Sequence, residues 1–491
     1  MTLRHLPRIT TTGLILASGL LFIGCGGGSH ASAAMGTGTG TGTGTGGGTP
    51  TTTGSTAMQV AIGDAPSDWI MAFGMTVNSI TLTNSTGGTV SVMPTATPTE
   101  MMQLMATLQP ISATSVPQGT YTQAQVSVSN ITMAYMDPTT HAYTQKTMAG
   151  PFSATVPFSP SMTVGATPMA LNFDLNMASS VALDASGNVT FAPAMTAAMA
   201  SVSSATSNPW QGGMQQQVGT VFSVSGTSFT MGSMMGLQKA TFATDSTTQF
   251  PSSGLTGMGA MTSGMMVAVD ASLQADGTYL AHRVEYMQTG SNGMVGQGLV
   301  SAVTGNPPTQ LTLVANGGMG GGMMASSIGG TVTVSLPTSV PYSVDADGVD
   351  LSGLPFTPLF DATSLSKGQH VDVVSGTGMM SGSGGGMGGG MTGTLGTLTA
   401  TQISLEQQAL HGTVSNYTVN GSQATFTLTL PADSAFATLA GTTSILVYQQ
   451  GATQVSGTAT TLANGADVQA RGLLFNDGGL YKLVTSWIVI R

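Results

Sequence analysis

The chain has 491 residues, of which 41% are hydrophobic, so it can fill several packed cores at about 150 residues per domain and is not disordered throughout. Only 6% of residues are charged, against roughly 25% in an average soluble protein; Thr, Ser, Gln and Gly must therefore cover the surface. A formal net charge of −10 with 9 Lys and Arg residues offers no electrostatic footprint for phosphate backbones, which argues against nucleic acid as a partner.

Residues 1–24 have the features of a secretion signal. Arg4 and Arg8 give a positive start, and Gly13 to Ile23 form an apolar run too short for a membrane span, which needs about 20 residues. Small Gly24 precedes Cys25, the one cysteine in the chain. The segment Leu20-Leu21-Phe22-Ile23-Gly24-Cys25 resembles a bacterial lipoprotein lipobox, with Phe22 where leucine is usual. The resemblance implies that Cys25 becomes the lipid-bearing first residue of the mature protein. The alternative is an ordinary signal peptide with an incidental cysteine. Removal of the signal leaves 7 basic against 19 acidic residues, a net charge of −12. With Cys25 lipidated, no thiol is left for a disulfide, a zinc-thiolate site or a cysteine nucleophile.

Residues 25–57 are dominated by Gly-Thr repeats and read as a flexible tether, because such composition cannot bury apolar area to offset ordering entropy. About thirty residues of this kind reach roughly 30 Å. The GxG spacings inside the tether lack a preceding strand and a following helix, so they do not form a phosphate cradle.

From Met58 onward the sequence is strand-like. Gln123 to Val128 alternates, and in Ala424 to Leu430 one face is apolar and the other is threonine. Period-two alternation bounded by Gly, Pro and Asn predicts half-buried antiparallel strands and an all-β fold. One short helix, or a linker, is expected near Ala192–Ala205. The block 58–200 contains Gly63-Asp64-Ala65-Pro66, the turn Pro117-Gln118-Gly119-Thr120-Tyr121 and the strand Leu171-Asn172-Phe173-Asp174. These motifs resemble the uncharacterised family DUF-4382 of bacterial surface lipoproteins, which has no established activity; the resemblance implies an antiparallel β-sandwich. Residues 201–217 read as a linker.

Three landmarks then recur in the same order. The first is Gly219-Thr220-Val221, Gly298-Leu299-Val300 and Gly412-Thr413-Val414. The second is a glycine turn into a strand, at Gly264, Gly368 and Gly465. The third is a closing strand starting near Thr278, Thr397 and Leu480. They define repeats at 218–290, 295–408 and 410–491, the middle one swollen by Gly/Met-rich insertions. Each repeat is expected to be a small barrel or sandwich with glycine at a tight approach between strands. The pattern resembles the uncharacterised family DUF-5666 repeated three times, and the first copy matches best. Three such modules on a tether suggest a rod.

Methionine is the compositional outlier, with 34 copies. Met379, Met380, Met387 and Met391 sit in a glycine-rich insertion where thioethers could converge on Cu(I) or absorb oxidant; the alternative is a permissive apolar filler. The three glutamates, Glu100, Glu285 and Glu406, are isolated in sequence, and no paired acid/base arrangement is visible. Asp345-Ala346-Asp347-Gly348-Val349-Asp350 resembles a calcium loop but lacks the EF-hand order and its closing glutamate, so an Asp/Gly turn is expected. Asp64 and Asp68 are expected to set a turn. His141, His282, His370 and His411 show no metal-binding spacing, and His282 and His370 are expected at the surface or at strand edges. Trp69, Trp210 and Trp487 are expected to pack in cores rather than form a sugar platform.

Together these features predict a lipid-anchored protein of the bacterial cell envelope, at the outer membrane, with a non-catalytic role in binding, adhesion or display. The membrane is contacted through the N-terminal lipid, and an envelope protein or glycan is the expected ligand class. No cofactor is called for.

Overall fold

The computed structural model describes residues 54–491 except 66, 94, 103, 105–107, 185–187, 202–212, 234–238, 251–254, 275–277, 287–293, 318–327, 347, 376–393 and 460. The fold is almost entirely β, and alternation is the local reason: in Gln123–Val128, Ala124, Val126 and Val128 are buried while the residues between them face outward.

The N-terminal sandwich comprises β1 (Ser55–Ala65), β2 (Ile70–Asn84), β3 (Thr89–Ser91), β4 (Thr97–Glu100), β5 (Gln109–Pro117), β6 (Gly119–Met136), β7 (Tyr143–Met148), β8 (Phe152–Val164), β9 (Met169–Asn176), the short helix α1 (Met177–Ser180), β10 (Val181–Leu183), β11 (Val189–Phe191) and β12 (Met195–Ser201). One sheet has the order β12-β9-β1-β5; the other has the order β3-β2-β6-β7, with β4 on β2 and β8 on β6. Most pairings are antiparallel, but β1 runs parallel to β9, with Val60 opposite Leu171 and Ile62 opposite Phe173. Those four side chains meet Phe73, Ile80, Val126 and Met133 of the other sheet in a single core.

The described part of the segment expected as a helix or linker, up to Ser201, is not helical. Met195–Ser201 is β12, paired antiparallel with β9 from Met195↔Leu175 to Ser201↔Met169. An available sheet edge outweighs the helix preference of alanine.

Three barrels follow. The first is built from β13 (Gly213–Ser225), β14 (Ser228–Ser233), β15 (Lys239–Ala243), β16 (Met266–Leu273) and β17 (Tyr279–Tyr286). The second uses β18 (Met294–Gly305), β19 (Pro308–Gly317), β20 (Thr331–Ser335), β21 (Tyr342–Val344), β22 (His370–Ser375) and β23 (Thr394–Leu405). The third has β24 (Gln407–Asn420), β25 (Gln423–Thr429), the helix α2 (Ala435–Ala440), β26 (Ser444–Gly457), β27 (Asp467–Asp477) and β28 (Leu480–Ile490). The first ring closes as β13-β14-β15-β17-β16 and the third as β24-β25-β26-β28-β27. In the second barrel β20 pairs with β23, which closes the same ring, and β21 is an added strand on β23. The third and last ring strands run parallel in every copy.

The recurring glycines have a steric cause. A Cβ at Gly219, Gly298 or Gly412 would lie 2.2, 2.4 or 2.4 Å from a backbone carbonyl oxygen of the neighbouring strand. The turn glycines Gly264, Gly368 and Gly465 have φ of +91°, +84° and +84°. Each donates its N–H at 2.8 Å to the carbonyl of the valine that closes the first landmark: Val221, Val300 and Val414. One backbone lock is thus repeated three times.

The rod expectation fails, because residues from Thr53 to Arg491 form one compact unit. Met71, Ala72 and Ala134 of the sandwich pack with Val314 and Ile328 of the second barrel and Ala435 of the third. Phe356, in the long connection between β21 and β22, enters the third barrel's territory 5.2 Å from Tyr448 and 5.9 Å from Phe475, centroid to centroid. Surfaces made of Thr, Gln and apolar residues cost less to desolvate than charged ones, which favours modules that cover one another.

Candidate functional site

In a chain this poor in charge, several of the described ionisable side chains lie where the modules meet. Alternation puts them there. Along β27, Val468 and Ala470 enter the third barrel's core, while Gln469 and Arg471 alternate with them and line a cleft outside it. On β24, Leu410 joins that core and His411 reaches the cleft. The sandwich contributes Asp68, and the second barrel contributes Asn316 and His370. The cleft has a volume of about 90 Å³.

His411 stands between two carboxylates, with Nδ1 2.9 Å from Oδ2 of Asp68 and Nε2 2.8 Å from Oδ1 of Asp467. The hydrogen bond to Asp68 is the main cause of a raised pKa; partial burial and Arg491 oppose it, and the two carboxylate charges support it. His370 behaves in the opposite way. It is 4% exposed, and its Nε2 lies 2.8 Å from Nδ2 of Asn316. Burial first and the nearby Arg471 second push its pKa down to about 3. The surface or edge position expected for His370 is therefore corrected. It lies where the second barrel meets the third, and its backbone N–H donates to Oε1 of Gln408 in the third barrel at 2.7 Å. Burial also lowers Arg471 to about 10, against the support of Glu406 and Asp270.

A second charged group lies between the first and second barrels. Arg283 on β17 pairs with Glu285 at 2.9 Å and reaches Asp345 at 3.5 Å. Asp372 on β22 is pushed up to about 7, by burial first, then by Asp345, with a Gln297 hydrogen bond opposing and Glu285 adding to the rise. Two glutamates isolated in sequence, Glu285 and Glu406, are thus placed at module junctions with the arginines Arg283 and Arg471.

The other candidates are dispersed. Asp345 is bound to Arg283, Asp350 accepts from the N–H and hydroxyl of Ser352 at 2.9 and 2.6 Å, and Asp347 lies outside the described residues. The calcium-like segment is therefore an Asp turn plus an ion pair. Among the described residues, no group of three His, Cys, Asp or Glu could hold a metal ion. His282 is partly buried and its Nε2 lies 2.7 Å from Ser272 Oγ. His141 is exposed and its Nδ1 lies 3.2 Å from Thr438 Oγ1. Trp69 sits edge-on to Tyr135 at 5.3 Å, Trp487 donates to Ser456 Oγ at 2.9 Å, and Trp210 lies outside the described residues. Met231 and Met261 are core residues of the first barrel. Cys25, Met379, Met380, Met387 and Met391 lie outside the described residues.

Residues 218–285, most of the first barrel, match a family model described as Domain of unknown function (DUF5666). No curated protein matches the chain.

Proposed function

We propose that the chain is a lipid-anchored protein of the bacterial cell envelope, at the outer membrane, with a non-catalytic role in binding, adhesion or structural display. The observation that carries the non-catalytic part is how the charged side chains are used. His411 joins the sandwich to the third barrel, Arg283 joins the first barrel to the second, and His370 is held neutral in a buried contact. Groups employed as fasteners are not poised for acid/base work at the surface. The junction cleft, at about 90 Å³, is also well below the roughly 300–1,000 Å³ usual for organic ligands. A head of mutually packed modules suits presentation of an outer face to an envelope protein or a glycan.

The anchor rests on Leu20 to Cys25 and the Gly-Thr tether behind them. Mass spectrometry of the native mature protein tests it: a diacylglyceryl group on Cys25 is expected, and an unmodified thiol or a soluble secreted product overturns it. A glycan-array screen of the same protein tests the binding role. Turnover of a substrate panel, abolished by substituting a junction residue, overturns the non-catalytic reading.

A further inference from the structure

His411 and Asp68 are 343 residues apart in the chain and in direct contact in the fold. Asp68 lies in the loop between β1 and β2 of the sandwich; Asp467, on the other side of the ring, is the first residue of β27. A carboxylate only accepts hydrogen bonds. Both ring nitrogens must therefore donate for both contacts to hold, and only the imidazolium carries two N–H groups. A neutral ring would turn a lone pair toward a carboxylate oxygen less than 3 Å away. We propose that His411 is a proton-operated clasp between the sandwich and the third barrel. The protonated ring bonds both carboxylates and holds the Asp68 loop against β24; the neutral ring keeps a single N–H, loses one of the two contacts and the ionic attraction to Asp68, and so loosens that loop.

The groups around the ring are few. Asp68 comes from the sandwich and Asp467 from β27; Gln469 follows on β27, and Arg491 comes from the chain end. Arg491 opposes protonation, though its guanidinium is held by Gln469 Oε1 at 2.9 Å. Helix α2, which lines the same cleft, carries no charge. Farther into the cleft His370 is neutral and Arg471 has Glu406 and Asp270 as electrostatic partners. The Asp68 side chain is 22% exposed and Asp467 51% exposed, so the contact to the sandwich is the better sheltered of the two. The N–H of Ala435 also donates to the Asp68 carbonyl at 2.8 Å, and an apolar cluster joins the same bodies. Deprotonation therefore loosens the Asp68 side-chain contact locally and leaves the modules together.

Trp69 directly follows Asp68 and stacks edge-on against Tyr135, so it reports on the loop. The experiment is a pH titration of the full chain, following the His411 ring by proton NMR and Trp69 by fluorine NMR of fluorotryptophan-labelled protein. The expected result is a His411 midpoint above the ordinary value of about 6.5, with the Trp69 resonance moving through the same midpoint. Asp68→Asn should lower the midpoint by about one pH unit or more, and His411→Gln should abolish the Trp69 transition. A His411 midpoint at or below the ordinary value, or an unchanged Trp69 transition in His411→Gln, overturns the clasp. Should His411→Gln fail to fold, the midpoint difference between the native chain and the nearly isosteric Asp68→Asn decides. An unmodified Cys25 leaves this inference untouched.

Discussion

Phe356 and Tyr448 belong to different barrels, yet their rings lie 5.2 Å apart, centroid to centroid. Lys482 of the third barrel places its ammonium 4.3 Å from the centre of the Phe356 ring, and Phe475 lies on another side. A connection of the second barrel therefore packs an aromatic ring against side chains on the outer face of the third, whose Tyr448 and Phe475 join the second barrel's core cluster, which makes the two barrels one packing problem.

Phe356→Ala is expected to cost about 2–4 kcal/mol, somewhat less than a fully buried phenylalanine because the ring keeps some exposure. Urea denaturation of the full chain checks this. Loss should appear in the transition shared by the second and third barrels, and an unchanged midpoint would show that the ring contributes nothing.

Asp372 should make the first junction less stable as pH rises. Its folded pKa of about 7 lies above the ordinary carboxylate value of about 3.9, so the folded state binds the extra proton between those values. The stabilisation is present below about pH 4 and is lost as pH rises through about 7. Asp372→Asn keeps the neutral shape and is expected to be more stable than the native chain above neutrality, on the order of 2–4 kcal/mol. Melting temperatures of both proteins across pH check this.

His370 gives the opposite slope. With a folded pKa of about 3, its neutral form contributes stability above about pH 6.5 that is lost as pH falls. His370→Gln keeps an acceptor for the Asn316 amide and removes the titration. The variant should hold its melting temperature on acidification better than the native chain. In the native protein this trend opposes that of Asp372 between about pH 4 and 6.5, so the native profile should be flatter than that of either variant.

Gly412→Ala tests the repeated close approach. The new Cβ would meet the Thr429 carbonyl oxygen at 2.4 Å, and the rigid ladder gives it little room, so a loss of about 1–3 kcal/mol is expected. Gly421, at φ +64° with open space beside it, serves as the control. Gly421→Asn should cost less than about 1 kcal/mol, since asparagine tolerates that backbone region. Equal melting temperatures for Gly412→Ala and the native chain would contradict the steric account.

Much of the fold was legible because its causes are local. Phe426, Leu428 and Leu430 face the third barrel's core for the reason their spacing suggested. The glycine landmarks recur because each copy must pass a strand beside the same carbonyl. The Ala-rich stretch misled because strand pairing to β9, a non-local partner, decided it. At the junction the legible signal was weaker: a polar residue at alternate strand positions, as at Gln469 and Arg471, marks an outward face without naming what covers it.

The order of residues by itself determined the all-β class, the three-fold recurrence and where the repeated glycine turns fall, since side-chain alternation and glycine sterics act over a few residues. Only the tertiary structure decided that the modules close on one another and that Asp68 meets His411. Such pairs are set by which surfaces bury each other, and their electrostatics depend on distances and desolvation that spacing along the chain does not encode.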